Sequence, residues 1–252
     1  MMRHFFELTY LMVRREMIVR YRGTFLGYVW SILNPLVFAL VYVIAFKYIL
    51  RIPVENYAVF LLTGLFPWLW MSSALNGGAK GFETYQVVLK SGAVPSIIIP
   101  FFVVIIEFVH FVFSLPIVFA IIAWSGSLIP FSSLIYFPIV FALTLFFLLT
   151  SVCIISCLSL IYRDFGHLIQ LFVQMLFFLS PVIYPIDMVP ESLRSVYFLN
   201  PFVNLIQLWR QLLYTGDIQL QLITYPLLLS CGLCVASYFC LKIIGNRAVQ
   251  WI

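Results

Sequence analysis

Charge is scarce in this sequence. Of 252 residues, 14 are Lys or Arg and 9 are Asp or Glu, which together make 9%. Soluble domains average about 25% charged residues, and a water-facing surface of this size cannot be made from so few. A phosphate loop is missing as well. No G-x-x-x-x-G-K-[ST] run occurs, so the chain carries no ATPase signature of its own. His, Asp and Glu never cluster at metal-ligand spacing, and no catalytic or metal site is expected. Cysteine is present, but as five residues in apolar stretches: Cys153, Cys157, Cys231, Cys234 and Cys240. An odd count at membrane depth argues against a disulfide framework. Cys231-Gly232-Leu233-Cys234 matches C-x-x-C. A redox pair needs an exposed, low-pKa thiol, so these read as small packing residues. A signal peptide is not expected either. The first apolar run follows Arg20 and Arg22, is too long for an h-region and lacks a cleavage site.

What fills the chain is oil. Hydrophobic residues make 64%, aromatics 18%, and Phe alone occurs 26 times. Side chains in that excess need a bilayer as solvent. Spanning runs of roughly 20 apolar residues are expected near 29–49, 59–75, 97–124, 131–160, 168–184 and 223–244. This predicts an all-α integral membrane protein of six transmembrane helices. The net charge of +5 comes from basic residues at the ends of apolar runs, which points to orientation rather than nucleic acid. With the N-terminus inside, ten Lys or Arg fall on the cytoplasmic side and Lys47, Arg51, Arg194 and Arg210 outside. Both termini are then cytoplasmic.

The chain 1–252 reads as a single permease domain with three further segments. Residues 1–24 hold an interfacial helix, with Phe5, Leu8, Met12 and Val19 on one face and Arg3, Glu7 and Arg14 opposite. Residues 76–96 form a cytoplasmic loop. There Gly77, Gly78 and Gly81 break the preceding span, and 82–89 makes two helical turns. A second, very short loop is Tyr162-Arg163-Asp164-Phe165-Gly166. Residues 185–222, divided by Pro185, Pro190 and Pro201, should form short re-entrant or interfacial helices.

Polar residues inside spans are functional suspects. Gly27, Ser31, Asn34, Phe38 and Tyr42 share a face of the first span, Glu107, His110 and Ser114 one of the third, and His167, Gln170, Gln174, Phe177, Pro181 and Tyr184 one of the fifth. Lipid penalises such faces. They fit a path for sugar, with amides bonding hydroxyls and rings stacking on sugar C–H faces, or they fit polar glue between helices. Glu107 with His110 reads as a structural or gating pair rather than a catalytic one, and Gly232 with Ala236 as a helix-packing pair.

Several runs together resemble the permeases of type-2 ABC exporters. They are Arg20-Tyr21-Arg22-Gly23-Thr24-Phe25-Leu26-Gly27 with Trp30, Leu33 and Pro35; Thr63-Gly64-Leu65-Phe66-Pro67-Trp68; Lys90 with Pro95 and Pro100; Tyr162-Arg163-Asp164; and Ser180-Pro181-Val182-Ile183-Tyr184-Pro185 with Asn200-Pro201. One departure is Ser159-Leu160-Ile161, where many relatives carry an Asn. The branch most resembled exports O-antigen, capsular polysaccharide or teichoic acid. The resemblance implies a homodimer in the bacterial inner membrane, bound to separate cytoplasmic ATPase subunits that hold the ATP and Mg²⁺. It implies a cargo of undecaprenyl-diphosphate-linked glycan between the protomers. Trp30, Asn34, Phe38, Tyr42, Trp68, Trp70, Gln170, Gln174, Phe177 and Tyr184 then line the channel, although Trp68 and Trp70 also suit an interfacial aromatic belt. Phe82, Glu83, Tyr85, Lys90, Arg163 and Asp164 couple to the ATPase. Arg14, Arg15, Arg20 and Arg22 attract the lipid diphosphate or other membrane headgroups. Two other readings share these features: a small-molecule efflux permease of the same fold, and a membrane enzyme acting on lipid-linked glycans.

Overall fold

The computed structural model describes residues 2–22, 29–91, 94–126, 131–162 and 164–243. Among these, every long regular element is a helix. The order is α1 (Met2–Tyr21), α2 (Trp30–Tyr42, continued by a π-helical stretch Val43–Ile49), α3 (Tyr57–Thr84), α4 (Gln86–Lys90), α5 (Ile98–Trp124), α6 (Phe131–Leu134), α7 (Phe137–Ile161), α8 (Phe165–Phe178), α9 (Glu191–Tyr197), α10 (Pro201–Arg210, continued by a π-helical stretch Gln211–Thr215) and α11 (Gln221–Ile243). Helices α3, α5, α7 and α11 are long and apolar enough to cross a membrane, and Leu36–Ile49 and Phe165–Phe178 are shorter apolar helices. Each expected span therefore falls on a helix. The chain is an all-α, multi-pass membrane protein.

Local sequence explains the element ends. Pro138 sits in the first turn of α7 and Pro201 opens α10, where a missing N–H costs nothing. Asn200 caps α10, its side chain accepting from the Phe202 N–H at 3.0 Å. Gly216, at φ +83°, ends the π-helical stretch in the left-handed region that glycine tolerates.

Helix α3 lies at the centre and packs on α2, α5, α7, α8 and α10. Lipid tails are as apolar as a leucine, so close packing and interhelical hydrogen bonds hold such a bundle. Trp70 stacks on Phe111 at 4.8 Å and on Phe141 at 5.7 Å. Trp209 meets Phe111 edge-on, and its indole N–H donates to Thr144 Oγ1 at 3.0 Å.

Three expectations change. The glycines of 76–84 do not break α3, which runs unbroken to Thr84; only the short α4 follows. A Cβ on Gly78 would stand 2.6 Å from Val152 Cγ1, and one on Gly77 2.9 Å from Val103 Cγ1. These glycines let α5 and α7 approach, which offsets their helix cost of about 1 kcal/mol each. Second, the apolar face of α1 is not left to lipid alone. Phe5, Leu8, Met12, Val13 and Met17 pack on Ile98, Phe102, Val103 and Ile106 of α5, while Val19 is exposed. Third, Gly232 and Ala236 are exposed, and a Cβ on Gly232 would meet nothing within 4 Å. That pair packs against no described helix of this chain.

Candidate functional site

One face of α8 stays open. Gln170 and Gln174 are exposed on it with Leu171, Met175 and Phe178, and no described helix of the chain covers them. Amides facing lipid would be unfavourable, so this face belongs against water or another protein. On α2, Trp30 and Phe38 are also exposed. The Asn34 side chain lies outside the described residues. Tyr42 is half-buried with its ring 5.6 Å from that of Phe177. Phe177 is buried and also meets Trp68 at 5.8 Å. Trp68 and Trp70 stand on no open face: they are 4% and 2% exposed and fill the interior. Both are corrected from channel wall, and from interfacial belt, to packing residues, because the rings of Phe177, Phe202, Phe111 and Phe141 enclose them.

At the α9–α10 end, a hydrogen-bonded clasp holds the loop after α8. Tyr184 Oη donates to the Phe178 carbonyl at 2.8 Å, so Tyr197 Oη, 3.0 Å away, must donate to Tyr184. Burial and that neighbouring hydroxyl push the Tyr197 phenol well above its usual range. Asn200 Nδ2 donates to the Leu179 carbonyl at 3.1 Å and to Ser180 Oγ at 3.0 Å. Tyr57 Oη donates to the Ile183 carbonyl at 2.8 Å, and Arg210 Nη2 to that of Val182 at 3.2 Å. The Arg210 guanidinium lies 3.8 Å over the Phe60 ring. The sequence had marked Tyr184 for the channel wall, but its hydroxyl is spent on this clasp.

The α1 end uses ions instead. Arg20 donates to Glu107 Oε1 at 3.4 Å from both Nη atoms, and Nη1 reaches His110 Nε2 at 2.8 Å. Arginine has only donors, so His110 Nε2 accepts there. Glu16 lies 3.9 Å from Arg20 Nε. Arg20 is thus engaged by α5 while remaining exposed on one side, and Arg14, Arg15 and Arg22 are exposed as well. Tyr85, between α3 and α4, is pushed up by burial and then by Glu16 beside it.

Two cavities open at this end. One, of about 890 Å³, is lined by Lys80, Phe82, Glu83, Ser159, Asp164 and His167 among others. It brings together three of the residues expected to couple to an ATPase: Phe82, Glu83 and Asp164. Phe82 is 3% exposed and packs with Leu89 and Ile99, so it forms the floor, while Glu83 and Asp164 stand at the rim. Tyr85 turns toward Phe102 instead, at 5.1 Å, and Lys90 is exposed on α4. Arg163 lies outside the described residues. The second cavity, of about 470 Å³, lies between α1, α3, α5 and α8.

A family model for the ABC-2 type transporter matches residues 7–214. The chain belongs to the ABC-2 type transporter family. It is 32% identical over 221 residues to the O-antigen export system permease protein RfbA of Klebsiella pneumoniae, covering 88% of this chain and 85% of that protein. With the RfbA protein of Myxococcus xanthus it shares 34% over 205 residues, 81% of this chain and 78% of the relative. The polysialic acid transport protein KpsM of Escherichia coli is 27% identical over 214 residues, 81% and 80% of the two chains.

Sequence reasoning missed several residues of this ABC-2 chain. Tyr57 and Arg210 hold the clasp, yet nothing in their spacing announces bonds to carbonyls far away in sequence. Ser73, Asn76, Lys80 and Thr84 were hidden by the expected loop at 76–96. Read as one helix, their spacing of three and four would have shown a stripe.

Proposed function

We propose that the chain is the membrane subunit of an ATP-driven exporter that carries a lipid-linked polysaccharide, O-antigen being the cargo its relatives favour, across the bacterial inner membrane. The observation that carries this reading is the open α8 face, where Gln170 and Gln174 are exposed at membrane depth. A second copy facing it would enclose a path of amides and rings, with Trp30, Phe38 and Tyr42 of α2 at its side. Such a lining bonds hydroxyls and stacks on sugar faces without the strong charge that would trap the cargo. The names of the relatives point the same way.

The α1 end faces the cytoplasm in this reading, since Arg14, Arg15, Arg22, Lys80 and Lys90 gather there. The 890 Å³ cavity receives the separate ATPase subunit, with Glu83 and Asp164 meeting basic residues of the partner. ATP and Mg²⁺ bind to that partner, which supplies the energy. Residues of this chain position and pass the glycan; none of them breaks a bond.

The test is export in cells whose own copy of the gene is deleted. Gln174→Leu and Phe178→Ala should insert normally, copurify with the ATPase and lower surface polysaccharide several-fold. Glu83→Lys with Asp164→Lys should abolish copurification. Full export by the α8 variants, together with undiminished ATPase recovery by the charge-reversed pair, would refute the proposal.

A further inference from the structure

Ser73, Asn76, Gly77, Lys80 and Thr84 share one face of α3 and form a wall of the 470 Å³ cavity, with Gln170 of α8 opposite. This volume lies within the roughly 300–1,000 Å³ of small-molecule sites. Its charges are balanced. Arg20 and Lys80 line it, and so do Glu16 and Glu107, with Arg20 already bonded to Glu107. A bare diphosphate brought here would gain little net attraction and would meet carboxylates. The neutral groups offer more. Serine, threonine and two amides present donors and acceptors in the directions that sugar hydroxyls use. One acceptor is unmet: Asn76 Oδ1 is buried with no hydrogen-bond partner. A buried acceptor left so is unfavourable, and a turn of the Asn76 amide toward the cavity lets a ligand hydroxyl relieve it. Gln170 continues one turn on into Gln174, so the cavity opens onto the α8 face.

We propose that this cavity is a carbohydrate subsite that takes the first hexose unit of the cargo at the cytoplasmic mouth of the path, reading its hydroxyls rather than its diphosphate. The proposal deepens the exporter reading and rests on it. Asn76 accepts from a ring hydroxyl, Gln170 bonds a neighbouring one, and Lys80 marks the side nearer the phosphate. The Arg20–Glu107 pair keeps the pocket neutral and fixes its α1 wall.

The experiment uses the whole permease–ATPase complex in lipid nanodiscs. Two probes are titrated: a short-chain prenyl diphosphate bearing one hexose, and the same prenyl diphosphate without sugar. Asn76→Leu and Gln170→Leu should each weaken the hexose probe about tenfold, the scale of one lost hydrogen bond, and shift the bare probe less than about twofold. Gln170 is exposed, so its variant keeps the test sound where Asn76→Leu misfolds. Equal loss for both probes, or unchanged affinity for the hexose probe in a complex that exports glycan, would overturn the subsite alone. A wild-type complex that binds neither probe and exports no glycan would overturn the exporter reading beneath it.

Discussion

The Arg20–Glu107 pair makes an asymmetric prediction. Glu107 is 15% exposed and Arg20 41% exposed, with 3.4 Å between Nη1 and Oε1. Arg20→Met strands a largely buried carboxylate in the wall of the smaller cavity. Breaking a buried pair costs about 3–5 kcal/mol, but the stranded acid can take up a proton, which caps the loss at about 2–3 kcal/mol. Glu107→Gln strands nothing. Arg20 keeps His110 at 2.8 Å and Glu16 at 3.9 Å, and its exposed side reaches water, so the cost stays below about 1 kcal/mol. The double variant should lie within about 1 kcal/mol of the wild type, because neither partner remains to be stranded. For a chain of this size about 1 kcal/mol shifts Tm by about 2–4 °C. Arg20→Met should therefore melt about 4–12 °C lower, while Glu107→Gln and the double variant melt within about 4 °C of the parent. The measurement is thermal unfolding in nanodiscs followed by tryptophan fluorescence. Equal loss for both single variants, or no rescue in the double, would refute the reasoning.

Other contacts yield further expectations. Gly78→Ala places a Cβ 2.6 Å from Val152 Cγ1 and should cost about 1–3 kcal/mol; Val152→Ala in that background should recover most of it, read as Tm. Gly64→Ala would stand 2.7 Å from Arg210 Nη2 and 3.3 Å from the Val182 carbonyl, pushing the guanidinium off its acceptor, so hydrogen exchange should rise over 180–185. Asn200→Ala removes the cap of α10 and the bonds to Leu179 and Ser180; a loss of about 1–2 kcal/mol is expected, with faster exchange at both ends of the clasp. Unchanged exchange in either variant would dismiss the clasp as a structural element.

Apolar runs made the bundle legible. Every predicted span lies on a helix because about 20 oily residues have few alternatives in a bilayer. A helix within 1–24 was legible from its apolar face, and the short helices of 185–222 from the prolines that divide them. What escaped was contact. Glycines read as helix breakers at 77–81 serve close approach, and no single sequence reveals which neighbour they admit. The ion pair of Arg20 escaped because its partners, Glu107 and His110, are far away in the chain. Trp68 and Trp70 lie two residues apart, yet both are buried, since α3 is enclosed on all sides near them. An exposed face can be guessed from periodicity only when one side of a helix remains polar, and this part of α3 has none.

The unbroken course of α3 ties the two ends of the molecule together. Its 28 residues rise about 42 Å at 1.5 Å each, more than the roughly 30 Å of bilayer hydrocarbon. At its first residue Tyr57 bonds the Ile183 carbonyl in the clasp, and about two turns later Gly64 admits Arg210 beside the Val182 carbonyl. Farther along, Trp68 touches Phe177 of α8. In its last turns Lys80 lines both cavities, and Phe82 and Glu83 line the larger one. A loop over 76–96 would have separated the larger cavity from the rest of the helix. A continuous helix cannot shift at Glu83 without moving its neighbours in the i to i+4 ladder. Its one internal lapse in that ladder is Pro67, which has no N–H to give and sits beside Trp68. Any bending of α3 is therefore expected to concentrate at Pro67, next to the Trp68–Phe177 contact with α8.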